Sequence, residues 1–360
     1  MKAAFPYMDT IRLSLQPILE TLGAEVIVPP PPDRGVLETG VRLAPELMCI
    51  PFKITLGNMV RCLDLGADTL VYVSGSWSCR FGYYGKLQAQ ILRDLGYEFR
   101  LLELTHDTLP DAVREVIGLS SGSLPRALVR AGRAFRLGWF KARTVDLAET
   151  LFRQTLPNAA AAAEPRALFQ SALRRVEDVP DVRGLSALRR ELVAEFGRVR
   201  RNGRTAPLRV KLVGESYCVI EPFVNLNVIR HLGELGVAVD PFLTAYRWLG
   251  FHGFRIGKAD VVRAKKLARR YWRMCVGGED ENSLGHGILA AEQGFDGIVH
   301  IHPFGCMPAT VVQPAMQKMC SDYGIPYLSV SLDEHSSETG LLTRLEAFVS
   351  MLERRRKKTE

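Results

Sequence analysis

The pattern of hydrophobic and polar positions divides the chain into three parts. In the first part, short apolar runs alternate with amphipathic stretches of helical period. The runs predict strands at residues 2–5, 24–28, 69–73 and 97–104. Helical periodicity covers residues 10–22, 54–66 and 83–96. Because strands that alternate with helices favour a parallel sheet, residues 1–105 are expected to form an N-terminal α/β domain.

The last part repeats this alternation. Strands are predicted at residues 208–214, 237–243, 297–302 and 326–332. Helices are expected at residues 223–235, in a long basic stretch that ends near Cys275, and at residues 341–358. Residues 276–287 are rich in glycine and predict a turn. Residues 206–360 therefore predict a C-terminal α/β domain.

Residues 106–205 have a different character, because they are rich in Ala, Leu and Arg and have helical periodicity with several proline breaks. This segment predicts a helical insertion or linker. The expected fold class is α/β, with two Rossmann-like parallel-sheet domains and the helical insertion between them.

The two predicted α/β domains share a local arrangement. Asp68 opens a predicted strand and precedes Cys79 by 11 residues, and Asp296 opens another and precedes Cys306 by 10. A helical pattern follows each cysteine. Loops that leave parallel strands lie at the edge where ligands bind, so each half is expected to present a cysteine there.

Composition narrows the class of protein. The chain has 360 residues, of which 47% are hydrophobic and 24% charged, as is usual for a globular protein of two domains. No apolar run is long enough to cross a membrane, and the N-terminus lacks the apolar segment of a secretion signal, so a cytoplasmic protein is expected. The net charge of +8 is spread over helical faces and the C-terminal tail, without a nucleic-acid-binding motif.

Six of the seven cysteines fall into two groups. Cys62 and Cys320 lie within helical patterns and are expected to be small core residues, and Cys275 is also expected to be structural. Cys49, Cys79 and Cys306 lie on loops with Gly or Pro, where three thiols could bind an iron-sulfur cluster or a structural zinc ion. There is no CxxC motif, so spacing alone leaves buried thiols, zinc and a cluster open.

A set of motifs adds a resemblance to a known family. The motifs are CIPFK at Cys49, GADTLVYVSGSWSCRFGYYGKLQ around Cys79, GESYCVIEPFVN, VGGEDENS, DGIVHIHPFGCMP and SLDEHSSETGLLTRLEAFVSML. Together they resemble the 2-hydroxyacyl-CoA dehydratase subunits, and most of all the CoA-substrate-specific enzyme activase-related branch, with the double-cubane-cluster proteins as cousins. The similarity covers both predicted α/β domains and fades across the helical middle.

The resemblance implies a function and a ligand set. Members of the family hold a [4Fe-4S] cluster through three cysteines, which match Cys49, Cys79 and Cys306 here. They receive electrons from an ATP-hydrolysing activator protein and pass them to an acyl-CoA substrate. The chain has no GxxxxGK[ST] loop of its own, so the activator must be a separate polypeptide. A homo- or hetero-oligomer is also implied, without membrane or nucleic acid.

Several alternatives stay open. A double-cubane [8Fe-9S] cluster would need about six thiolates in one pocket, so a single cubane is expected. Cys218, on the predicted loop after residue 213, is either a fourth ligand or a buried inert thiol. An open fourth iron would indicate a reductase or dehydratase, whereas a closed one would indicate an electron-transfer or assembly subunit.

Catalytic side chains are expected on the loops around the cysteines. Glu334 and His335 are favoured because they follow a predicted strand at its carboxyl end. His300 and His302 alternate along a strand and are therefore expected to face the same way. The other polar residues on these loops, each of which could equally be structural, are Lys53, Arg80, Glu215 and Glu221.

Overall fold

The computed structural model describes residues 1–73, 79–104, 124–203, 206–254 and 257–359. The chain divides into two compact units, the first unit Met1–Arg143 and the second unit Thr144–Glu360. The division into three parts at residues 105 and 205 stays a prediction, and part of the predicted insertion, residues 105–123, lies outside the described residues.

The first unit contains a parallel sheet of four strands in the order β2-β1-β3-β4. The strands are β1 (Lys2–Ala4), β2 (Glu25–Val26), β3 (Thr69–Val73) and β4 (Arg100–Leu104). The sheet confirms the predicted α/β class. β2 is shorter than the predicted strand at residues 24–28, and the proline run that begins at Pro29 cannot donate the hydrogen bonds needed to extend it.

Helices cover both faces of this sheet. They are α1 (Arg12–Leu22), α2 (Arg34–Leu43), α3 (Ile50–Asp64), α4 (Tyr84–Asp94) and α5 (Leu124–Thr155), with 3₁₀ turns at Asp9–Ile11 and Arg80–Tyr83. α1 ends at Gly23, whose φ of 104° suits glycine. Along β3, Val71 packs under α1 and α5, whereas Leu70 and Tyr72 pack under α3 and α4. This alternation places a hydrophobic core on each side of the sheet.

The second unit contains another parallel sheet of four strands, in the order β6-β5-β7-β8. The strands are β5 (Leu208–Gly214), β6 (Val237–Pro241), β7 (Gly297–Pro303) and β8 (Tyr327–Leu332). Counted along the chain, the order is second, first, third and fourth in both sheets. The two predicted α/β domains thus share one topology.

The helices of the second unit include the end of α5 and nine more. They are α6 (Ala163–Asp178), α7 (Val182–Gly197), α8 (Ser216–Ile220), α9 (Val228–Glu234), α10 (Ala245–Phe254), α11 (Lys258–Ala268), α12 (Asp280–Glu292), α13 (Met307–Asp322) and α14 (Glu338–Thr359), with a 3₁₀ turn at Leu156–Asn158. None of the described helices combines the length and apolarity needed to cross a membrane.

Three predictions for the second unit are wrong in detail. The helix predicted from residue 223 starts only at Val228, because Leu226 and Asn227 have positive φ angles of 53° and 57°. The basic helix ends at Ala268, before Cys275. The predicted glycine-rich turn already contains the start of α12. Gly285 is a packing residue of this helix, since a Cβ there would lie 2.0 Å from the Ala264 carbonyl oxygen.

Candidate functional site

The topology of each sheet creates one crevice at the carboxyl ends of its strands. In the first sheet, β1 lies between β2 and β3. In the second sheet, β5 lies between β6 and β7 in the same way. Cys79 follows β3 and Cys306 follows β7. Ligands of open α/β sheets usually bind where the strand order reverses, and both cysteines follow strands that end at this edge. Residues 74–78, between β3 and Cys79, lie outside the described residues.

A repeated hydrogen bond supports the equivalence of these positions. The Lys2 N–H donates to Asp68 Oδ1 over 2.9 Å, and the Arg209 N–H donates to Asp296 Oδ2 over 2.7 Å. Each aspartate thus joins the start of the central strand to the strand that leads to the cysteine. The predicted similarity of the two halves is confirmed in this respect.

Each candidate cysteine begins a helical segment. Cys49 precedes α3 and Cys306 precedes α13, and in both helices a proline stands two residues after the cysteine. Cys79 precedes the 3₁₀ turn Arg80–Tyr83. None of the three side chains caps its own helix. The partial positive charge at a helix N-terminus favours an anionic sulfur, so Cys49 and Cys306 suit metal binding.

The first unit brings the Cys49 and Cys79 segments together. Arg80, next to Cys79, donates from Nη2 to the carbonyl oxygen of Leu47 over 3.3 Å. Tyr84, at the start of α4, places its hydroxyl in hydrogen-bond contact with Cys49 Sγ. Cys306 and Cys218 belong to the second unit.

Aromatic rings surround Cys49. Phe52 and Tyr84 meet edge to face with centroids 4.9 Å apart, and Phe81 lies 5.4 Å from Tyr84 and 6.3 Å from Tyr72. Tyr72 is buried, and its hydroxyl has no hydrogen-bond partner among the described residues. Sequence reasoning missed both tyrosines. The spacing of Tyr84, Gln88 and Leu92, which share one face of α4, is a signal that could have found Tyr84.

Cys218 lies in a different environment from the other candidates. The predicted loop contains the short helix α8 instead, because the Glu215 carboxylate accepts the N–H groups of Tyr217 and Cys218 over 3.1 and 2.9 Å. Burial raises the pKa of Glu215 above its usual value, and the nearby Glu279 adds to the rise. Cys218 itself is 0% exposed. This burial favours the inert thiol over a fourth ligand.

His300 and His302 lie on β7 and face the same way, as expected, with ring centroids 5.0 Å apart. His300 Nδ1 pairs with the Tyr327 hydroxyl over 2.8 Å, and His302 Nε2 lies 2.7 Å from Gln313 Nε2. Burial lowers the pKa of His300 to about 3 and also lowers that of His302. The pair is therefore neutral at physiological pH.

Glu334 and His335 lie in the turn after β8, an edge strand of the second sheet. The His335 N–H donates to Asp333 Oδ1 over 3.0 Å, and the His335 side chain is exposed. Glu334 is half-buried. Their catalytic role stays a prediction.

The remaining polar residues take varied positions. Lys53 is buried within α3, and Glu221, also buried, accepts the Phe223 N–H over 3.2 Å.

The cysteines expected to be structural differ from one another. Cys62 and Cys320 are buried, and burial raises the pKa of each thiol to about 12. Cys275 is exposed, so its predicted packing role is wrong: the helix expected to hold it ends seven residues earlier, at Ala268. Its sulfur lies within 4.8 Å of carboxylate oxygens of Asp280 and Glu281.

Comparison with known proteins finds a similarity that lies within the second unit. Residues 180–352 match the family model described as 2-hydroxyglutaryl-CoA dehydratase, D-component. The match is just under half of the chain; it includes Cys218 and Cys306, whereas Cys49 and Cys79 lie outside it. A search of curated proteins found no match. The C-terminal part of the chain is therefore similar to the 2-hydroxyglutaryl-CoA dehydratase D-component, which supports a relation to the 2-hydroxyacyl-CoA dehydratase subunits.

Proposed function

We propose that this chain is an iron-sulfur component of the 2-hydroxyacyl-CoA dehydratase type, which acts as a low-potential reductase or dehydratase and receives electrons from a separate ATP-hydrolysing activator. The observation that carries the proposal is the family match from residue 180 to residue 352, which includes Cys306 at the carboxyl end of β7. The activase-related branch and a cytoplasmic location are part of the same proposal.

Cys49, Cys79 and Cys306 would hold a [4Fe-4S] cluster. The donor set fits this group, because thiolates are the usual ligands of iron-sulfur clusters. The hydroxyl of Tyr72 is buried and has no hydrogen-bond partner in the part of the chain that the structure describes, so an added sulfur acceptor would satisfy it. When bound, the cluster would supply single electrons to an acyl-CoA thioester.

The residues of the chain would prepare the site for this chemistry. The N-termini of α3 and α13 favour negative charge on Cys49 and Cys306. His300 and His302 are buried on β7, the strand that precedes Cys306, and because they are neutral they add no positive charge there. Glu334 and His335 would donate and accept protons on the substrate, from the turn after β8.

The proposal includes a single cubane with an open fourth iron. Cys218 is fully buried in α8 and would be a packing residue, not a ligand of the fourth iron. The double-cubane [8Fe-9S] alternative would need about six thiolates in one pocket. An open iron is a position where substrate can bind, which favours the reductase or dehydratase over an electron-transfer or assembly subunit.

The experiment is reduction of the anaerobically purified protein by a family activator. Activator, ATP and protein are mixed, and electron paramagnetic resonance follows the cluster while acyl-CoA conversion is measured. A control uses a non-hydrolysable ATP analogue. Cluster reduction that requires ATP hydrolysis, followed by conversion of an acyl-CoA, supports the proposal. Reduction without conversion of any 2-hydroxyacyl-CoA supports the electron-transfer subunit instead, and absence of reduction contradicts both.

A further inference from the structure

Cys49 packs against a buried cluster that contains two tyrosines, Tyr84 and Tyr72. The Tyr84 hydroxyl is in hydrogen-bond contact with Cys49 Sγ, and Tyr84 is only 3% exposed. Water therefore has little access to the tyrosine side of this contact. A hydrogen bond in such surroundings is stronger than the same bond at the surface.

Tyr72 brings a second phenol to the same place. Its hydroxyl is buried without a hydrogen-bond partner among the described residues, which is unfavourable for a polar group. Tyr72 and Tyr84 belong to one buried cluster, and Cys49 packs against it. The Tyr72 ring is therefore part of the same packed surroundings as the Cys49 side chain.

The packing around these hydroxyls is fixed. Phe52 and Phe81 contact the Tyr84 ring. Gln88 of α4 donates from Nε2 to the Phe52 carbonyl oxygen over 2.9 Å and to Thr55 Oγ1 over 2.8 Å, which joins α4 to α3. Tyr84 on α4 is therefore held next to Cys49, which precedes α3.

We propose that Tyr84 donates a hydrogen bond to the Cys49 sulfur, that the Tyr72 hydroxyl in the same packed cluster adds a weaker electrostatic effect, and that both raise the reduction potential of the cluster that Cys49 holds. This inference rests on the proposed function. An added electron makes the cluster and its ligand sulfurs more negative, so a hydroxyl donor stabilises the reduced cluster more than the oxidised one. Tyr84 and Tyr72 are positioning residues, since they act through the sulfur.

The test compares Tyr84→Phe and Tyr72→Phe with Tyr83→Phe, a matched control next in the sequence whose side chain is 62% exposed. Each substitution removes one oxygen and keeps the ring. Iron content, thermal unfolding and the midpoint potential in an anaerobic dithionite titration, followed by electron paramagnetic resonance, are measured for each variant. The expected result is a shift to more negative potential in Tyr84→Phe, a smaller shift in Tyr72→Phe and none in Tyr83→Phe, with iron content unchanged.

The possible outcomes separate this inference from the proposed function. A wild-type protein that binds no iron contradicts the proposed function itself. Iron bound by every variant at one common potential, or a shift to more positive potential in Tyr84→Phe, overturns only the role of the tyrosines. Loss of iron in a folded Tyr84→Phe variant also overturns it, because a residue that only tunes the sulfur is not needed to retain the metal.

Discussion

The two units have the same sheet and different chemistry at its edge. Both sheets place their first strand between the second and third, and both use an aspartate to join the first and third. The first unit presents Cys49 and Cys79 among aromatic rings and tyrosine hydroxyls, whereas the second presents Cys306 after a strand with two neutral histidines. A common scaffold can therefore present different ligands at one topological position. The family match lies only in the second unit and therefore gives no information about the candidate ligands in the first unit.

The largest expected effect is the loss of iron when a ligand from either unit is removed. Replacing Cys49, Cys79 or Cys306 by Ser should remove most of the bound iron, because a serine oxygen is a poor substitute for a thiolate. Iron and sulfide analysis after anaerobic purification measures this.

Matched controls are available in both units. Cys62→Ser in the first and Cys320→Ser in the second should keep their iron and lose on the order of 1 kcal/mol of stability. Cys275→Ser should keep both, because the thiol is exposed. If all three ligand variants retain iron, the ligand set is wrong.

A second prediction concerns glycines that allow helices to approach each other in each unit. A Cβ at Gly40 would lie 1.7 Å from the Lys53 carbonyl oxygen, and one at Gly285 would lie 2.0 Å from that of Ala264. Gly40→Ala and Gly285→Ala should each lower the free energy of unfolding by about 3 kcal/mol, because backbone atoms must shift.

Urea unfolding measures the effect, with Gly132→Ala and Gly197→Ala as controls. Neither control site has an atom within 4 Å of the added carbon, so these helical substitutions should be neutral or slightly stabilising. If Gly285→Ala is as stable as Gly197→Ala, close helix packing at a glycine does not stabilise the second unit as it does the first.

The buried histidines should make the second unit sensitive to acid. The pKa of His300 is about 3 in the folded state, lowered mainly by burial from an ordinary value of 6.5. Since the unfolded chain binds the proton more tightly, stability is complete above pH 6.5 and decreases as the pH falls. Between pH 7 and pH 5 the loss should be on the order of 2 kcal/mol.

Urea unfolding at both pH values tests this for wild type and for His300→Asn. The variant should lose about 2 kcal/mol less between the two pH values than the wild type. His335→Asn, which changes an exposed side chain, should keep the wild-type dependence. An unchanged dependence in His300→Asn would show that this histidine is not kept neutral by folding.

The smallest expected effect is at Cys218. Because this thiol is fully buried in α8, Cys218→Ala should keep its iron and respond to cyanide as the wild type does. Spectra of both proteins with and without cyanide provide the measurement. A wild type that ignores cyanide, next to an alanine variant that binds it, would identify Cys218 as a fourth ligand and favour the electron-transfer subunit.

Strands with continuous apolar runs could be predicted from the sequence. The predicted limits of β3 and β5 agree with the structure, because their β-branched and aliphatic residues are buried on both faces. Elements that depend on a tertiary contact were missed. The sequence does not show that Glu215 caps α8, or that Gly285 packs against α11.

The candidate site could be predicted only in part for the same reason. The cysteines after β3 and β7 were found because strand ends mark the binding edge. Tyr84 was missed because its contact with Cys49 joins residues 35 positions apart, on two different helices. Residue spacing along one helix carries no information about such a pair.

Metal analysis of the anaerobically purified wild-type protein shows directly whether this chain holds an iron-sulfur cluster. We expect a brown protein with about four irons per chain, a sulfide-to-iron ratio near one and a paramagnetic signal after reduction. About eight irons per chain would indicate the double-cubane cluster instead. A colourless protein that contains zinc and no sulfide would show that no iron-sulfur cluster is bound.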